Sequence, residues 1–151
     1  MTLALLIGFF AGLRSLTAPA MTALAVHLGW LQVQPSLAWI GSTPAVVIFV
    51  LLALLELVGD ELPSTRSRTS PPGLIARIVM GGLAGACVGS AVAGAGGVGA
   101  LLGIVGGIAG CYGGYRARIG VVQALGTPDF VVAVVEDLIA IVGSLWVVTR
   151  F

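Results

Sequence analysis

The stretch LIARIVMGGLAGACVGSAVAGAGGVGALLGIVGGIAGCYGGYRAR, from Leu74 to Arg118, decides the fold. Between Arg77 and Arg116 it carries no charged residue. About 20 apolar helical residues cross a hydrocarbon core ~30 Å thick, so this run is long enough to cross it twice. It divides into two spans, Leu74–Ala93 and Val98–Tyr115, joined by a glycine turn near Gly96.

Glycine spacing inside the run predicts how the two spans pack. Gly81, Gly85 and Gly89 recur every four residues on one span, and Gly99, Gly103 and Gly107 on the next. A second row, Gly106, Gly110 and Gly114, follows. Small residues at this spacing let helix backbones approach closely, where dispersion and CH···O contacts replace the missing hydrophobic drive. The spacing predicts that these two spans pack together, and it leaves open whether the rows serve the monomer core or a homo-oligomeric contact.

Working outward, three further stretches reach or approach spanning length: Leu3 to about Ala25, Pro44–Gly59 and Phe130–Val148. The chain therefore reads as an all-α polytopic membrane protein of about five helices, forming one transmembrane domain over residues 1–151. A membrane barrel needs many alternating ten-residue strands, whereas these runs are continuous and rich in Ala, Leu and Gly. Composition agrees: mean hydropathy is +1.13, with 58% hydrophobic and 9% charged residues, against roughly a quarter charged in a soluble domain. A net charge of +1 gives no field that would recruit nucleic acid. Cys87 and Cys111 sit in apolar, glycine-rich surroundings and read as unbridged packing residues. No metal-ligand spacing or cofactor motif occurs, and His27 is the single histidine.

The first stretch is the least regular. Arg14, Ser15, Thr17 and Pro19 interrupt it and release backbone groups from the helical ladder, which predicts either a broken helix or a re-entrant hairpin. It lacks the basic n-region of a signal peptide. Trp30, Pro35 and Trp39 then mark a segment lying at a membrane interface. Arg66, Arg68 and Arg77 flank one loop, while Arg116 and Arg118 end the fourth span. By the excess of cations on cytoplasmic loops, both regions face the cytoplasm of an inner-membrane protein, and five complete spans then put the N-terminus inside.

Thr43-Pro44 through Gly59 aligns without a gap with Thr127-Pro128 through Gly143, and Gly8, Gly12 and Arg14 share the spacing of Gly110, Gly114 and Arg116. Residues 1–60 and 98–148 thus read as two repeat halves linked by the helix 74–93. An odd number of linking spans would insert them in opposite senses.

Ionisable residues within the spans are where chemistry is sought, because each costs about 2.5–3.5 kcal/mol at mid-span on insertion scales. Arg14 is expected to pair with Glu136 or Asp137, and with Ser15 and Thr17 these outline a substrate or ion pathway. A secondary charged cluster, Glu56 and Asp60 with Arg116 and Arg118, is expected nearer the cytoplasmic face. Either set equally suits a satisfied network that only fixes helix register.

Gly12-Leu13-Arg14, Leu37-Ala38-Trp39-Ile40-Gly41-Ser42, Leu55-Glu56 through Asp60-Glu61-Leu62-Pro63, and Pro128 through Glu136-Asp137 together resemble the uncharacterised bacterial membrane-protein family called domain of unknown function 4126. The resemblance spans nearly the whole chain, although that pattern favours lysine where this chain has Glu61. It implies the architecture and flags Arg14, Glu56, Asp60, Glu136 and Asp137, and it implies no activity. Three functions compete. One is a transporter or channel for a small ion or polar solute; the second is a membrane scaffold using the glycine rows. A membrane-embedded enzyme is not expected, since no nucleophile neighbours a candidate base.

Overall fold

The computed structural model describes residues 1–59, 70–126 and 128–151; Asp60, Arg66 and Arg68 lie outside these. The described residues are helical with no strand: α1 (Thr2–Leu13), α2 (Thr17–His27), a 3-10 segment (Pro35–Gly41), α3 (Thr43–Gly59), α4 (Pro71–Ala93), α5 (Gly96–Leu125) and α6 (Asp129–Val148). Pro71 starts α4, where a missing N–H costs no hydrogen bond. Gly94 ends α4 in the left-handed region at φ +62°, and Gly126 ends α5 at φ +60°, conformations that a Cβ disfavours.

α4 and α5 form the antiparallel pair that the glycine spacing predicts. A Cβ on Gly85 would lie 2.4 Å from the Gly99 carbonyl oxygen, and one on Gly81 would lie 2.7 Å from that of Gly103. The second row faces elsewhere: Gly106 abuts the backbone of Leu5 and Phe9, and Gly110 that of Phe9 and Gly12. α1 therefore lies along α5 in the same direction, with Gly8 at Gly103 and Gly12 at Gly107. All of these contacts are backbone to backbone within one chain. Gly107 abuts the Arg77 carbonyl, so Cys111 lies beyond that level while Cys87 is ten positions along α4. At ~1.5 Å per residue this separates the cysteines by more than roughly 15 Å along the bundle. Both thiols are free, as expected.

The first stretch does not cross as one helix. α1 brings Gly12 to the level of Arg77 on α4. The chain then turns at Arg14, whose φ −135° and ψ 116° are extended, and α2 runs back. At its far end Gln34 N–H donates to Ser90 Oγ at 2.7 Å, and Gln34 Nε2 donates to the Gly94 carbonyl at 2.5 Å. α1 and α2 are thus a helical hairpin with both feet at the Gly94 end of the bundle, which settles the choice left by the sequence. At 12 residues α1 is roughly 18 Å long, short of a ~30 Å core.

α3 starts beside α2, where His27 Nδ1 lies 2.8 Å from the Gly41 carbonyl oxygen, and rises toward the hairpin tip. α4, α5 and α6 are long and apolar enough to cross a membrane, and α3 becomes a fourth span when joined to the 3-10 segment across a 60° bend. Among the described residues there are thus three or four candidate spans beside the returning hairpin, where the sequence suggested about five helices. α3 and α6 run in opposite senses, as opposed repeat halves require. α1 and α5 run in the same sense, so that relation holds for only one of the two helix pairs matched in the sequence.

The ends of the bundle differ chemically. Trp30, Trp39 and Trp146 are exposed at the Gly94 end, with the Arg150 guanidinium 4.4 Å over the Trp146 ring. The other described arginines gather at or above the level of the hairpin tip.

Candidate functional site

The site is the hairpin tip. Three residues without regular helix, Arg14, Ser15 and Leu16, separate α1 from α2. They lie level with Gly110 and Cys111, near the middle of the 30-residue α5. Arg14 is fully buried, and its guanidinium, through Nε and Nη2, pairs with the Asp137 carboxylate of α6. A charge in such surroundings is tolerated only with a partner, and Asp137 supplies it.

Glu136, the other partner considered from the sequence, turns away. Adjacent residues on a helix are 100° apart, so the two carboxylates of α6 cannot serve one cation on one face. Glu136 is buried with its Oε2 3.7 Å from Nη1 of Arg118, and Arg118 also binds Asp129 with Nε 2.7 Å from Oδ1. A pocket of about 230 Å³ lies against this pair between α1, α5 and α6, lined by Phe9, Leu13, Gly114 and Ile139 as well as Arg118 and Glu136.

Glu56 departs most from expectation. Rather than joining Arg116 and Arg118, it reaches from α3 to the hairpin tip. Its Oε1 accepts from the Ser15 N–H at 2.8 Å and from Ser15 Oγ at 2.6 Å, while its Oε2 accepts from the Leu16 N–H at 2.8 Å. Leu16 is the N-cap of α2 and offers no side-chain acceptor, so the start of α2 lacks a local cap. The carboxylate of another helix satisfies those N–H groups and meets the positive end of the helix dipole. Arg116 is exposed, Arg118 serves Asp129 and Glu136, and Asp60 lies outside the described residues. The expected secondary cluster is therefore divided between two places.

Arg77 belongs to the site although the sequence reading used it only for topology. It is 4% exposed; its Nε donates to the Gly12 carbonyl and its Nη1 to the Gly73 carbonyl, each at 3.0 Å. The signal available was its position, more than a turn beyond the Pro71-Pro72 helix start. Thr17, the first residue of α2, is 3% exposed, and its hydroxyl oxygen has no hydrogen-bond partner among the described residues. Ser144 Oγ on α6 is likewise buried and unpartnered. Among the described residues, the tip brings together the cations Arg14 and Arg77 and the carboxylates of Glu56 and Asp137.

No curated protein and no solved structure matches this chain. The profile described as Domain of unknown function (DUF4126) matches residues 1–149. The resemblance carried by Gly12 to Arg14, Glu56 and the Glu136-Asp137 pair is thereby confirmed over nearly the full length: the chain belongs to the DUF4126 family.

Proposed function

We propose that this protein moves a small ion or polar solute across a bacterial inner membrane through a site at the hairpin tip. One observation carries the reading: the backbone is broken deep in the bundle, at Arg14 to Leu16, and charged groups from three other helices converge there. Lipid-facing backbone cannot remain unpaired, so irregular chain at membrane depth is kept where it is buried in protein or lines a polar path. Arg14, Ser15, Thr17 and Asp137 form the proposed site, and Glu136 with Arg118 borders the adjoining pocket. Against the scaffold alternative, the row glycines from Gly81 to Gly110 abut backbone inside the chain.

The test is flux in liposomes holding the purified protein, screened over cations, anions and protons. Asp137→Asn is expected to lower that flux by about tenfold or more, since each 1.4 kcal/mol of altered site energy is a factor of ten. Glu136→Gln should change flux or its pH dependence less. If no ion moves faster than in protein-free liposomes, and the protein co-purifies stoichiometrically with another membrane protein, the scaffold reading replaces this one.

The hairpin favours a second orientation beside the N-inside one expected from five complete spans. If the arginine-rich end is cytoplasmic, both hairpin feet and the Gly94 turn are proposed to face outward, with the N-terminus on the outer side. Single cysteines at Thr2 and Gly97 are expected to react with an impermeant external thiol reagent in a background lacking Cys87 and Cys111, and cysteines at Ser70 and Ala117 to be protected. Labelling of Gly97 with protection of Thr2 would mean that the first stretch crosses after all.

A further inference from the structure

We infer that the recess between α1, α5 and α6 seats an acyl chain of an anionic phospholipid, whose phosphate is held by Arg116. The hairpin itself creates the recess. α1 ends at Leu13, near the level of Gly110, and the chain turns back, which leaves a gap of about 230 Å³ between α5 and α6 where α1 would have continued. Gly113 and Ala117 border it from α5 and Ile139 from α6, and all three are exposed, so it opens sideways to the bilayer. A Cβ on Gly113 would meet no described atom within 4 Å, whereas one on Gly110 would run into the Phe9 carbonyl.

Polarity, depth and charge identify the occupant. Away from the Arg118 and Glu136 pair the walls are apolar, and apolar cavities stay dry, so water is a poor filler. A gap without partner atoms forfeits dispersion contacts along its lining, and a hydrocarbon chain entering from the side supplies them. Arg116 lies twenty residues along α5 from Gly96, a rise of roughly 30 Å at ~1.5 Å per residue, which is the thickness of a hydrocarbon core. Exposed Trp30 and Trp39 at the Gly94 end, and exposed Tyr112 and Tyr115 beside Arg116, mark the two interfaces. A phospholipid with its chain in the recess therefore has its phosphate at the height of Arg116. That side chain is exposed, lies one turn from Gly113 on the outer side of α5, and has no ion pair or hydrogen bond among the described residues. Arg118 is engaged by Asp129 and Glu136 and is not needed as a ligand. A cation at this height, beside a cleft between helices, fits an anionic headgroup. The site lies beside the hairpin tip and takes lipid whether or not an ion passes there.

The probes are phosphatidylglycerol and phosphatidylcholine with the same acyl chains, added to the detergent-solubilised protein and read by native mass spectrometry and thermal unfolding. Wild type should retain one phosphatidylglycerol per chain, half-saturating at a concentration about fivefold below that of phosphatidylcholine, the worth of one arginine near the membrane surface. Arg116→Gln should abolish that preference and keep the affinity the two lipids share through their chains. Gly113→Leu should weaken both lipids, because its side chain grows into the recess. Should Gly113→Leu not fold, Ala117→Leu fills the recess from its exposed rim and carries the same expectation.

Equal binding of the two lipids by wild type, or an unchanged preference in Arg116→Gln, overturns the site. Full retention of lipid in the recess-filling variants does the same, since the lipid then only coats the surface. Stabilisation by inorganic phosphate equal to that by phosphatidylglycerol would overturn it in favour of a free anion. A wild-type dimer by light scattering that Gly113→Leu converts to a monomer would overturn it in favour of a second copy of the chain.

Discussion

Replacing Arg14 with Gln is expected to cost about 3–5 kcal/mol of stability, because it takes the Arg14 cation from the half-buried Asp137 carboxylate. The fully buried guanidinium also fills volume between α1 and α6, so its loss removes packing along with charge. Asp137→Asn in the same background should recover part of the loss, with a coupling energy of about 0.5–3 kcal/mol. Glu136→Gln should give no comparable coupling, since Glu136 addresses Arg118 from a face of α6 turned by about 100° from that of Asp137. Denaturant titration in mixed micelles, run as two double-mutant cycles, measures both terms. Additivity with Asp137 together with coupling to Glu136 would mean that α6 is rotated by about one residue, 100°, from the arrangement described.

That pair illustrates how much of the site was legible in the sequence. Hydropathy marked the helices, and the cost of a mid-span arginine required a carboxylate partner on α6. Choosing between two adjacent carboxylates needed the rotation of α6, which a helix of Val, Leu and Ile on nearly every side does not encode. The first stretch was ambiguous for a related reason: Leu3 to Ala25 has the length of a span, and only the contacts of Gly12 and Gln34 at opposite ends of α4 reveal a hairpin. Glu56 misled through its neighbour. Paired in sequence with Asp60 at helical spacing, it read as a water-facing cluster, while the capping need that draws it inward belongs to Leu16, a residue distant in sequence. Glycine spacing correctly joined α4 to α5, yet could not show that Gly106 and Gly110 receive α1.

Gly103→Ala is expected to destabilise the protein by about 1–3 kcal/mol, the range for overpacking a filled core. The added Cβ would lie 2.1 Å from the Gly81 carbonyl oxygen and 2.9 Å from the Gly85 Cα, both backbone atoms that cannot rotate aside. The cost reaches a third helix, because α1 rests on the same residue: a Cβ on Gly8 would lie 2.2 Å from the Gly103 carbonyl oxygen. Any widening between α4 and α5 at this point therefore shifts α1, and with it Arg14 and the hairpin tip. Gly97→Ala is the control on the same helix, where a Cβ meets nothing within 4 Å; it should be neutral or stabilising by up to about 1 kcal/mol from reduced backbone freedom. The same micelle titration compares the two. Equal tolerance of both substitutions would mean that the Gly103 row is not filled by α1 and α4, and would return that row to the role of a contact between copies of the chain.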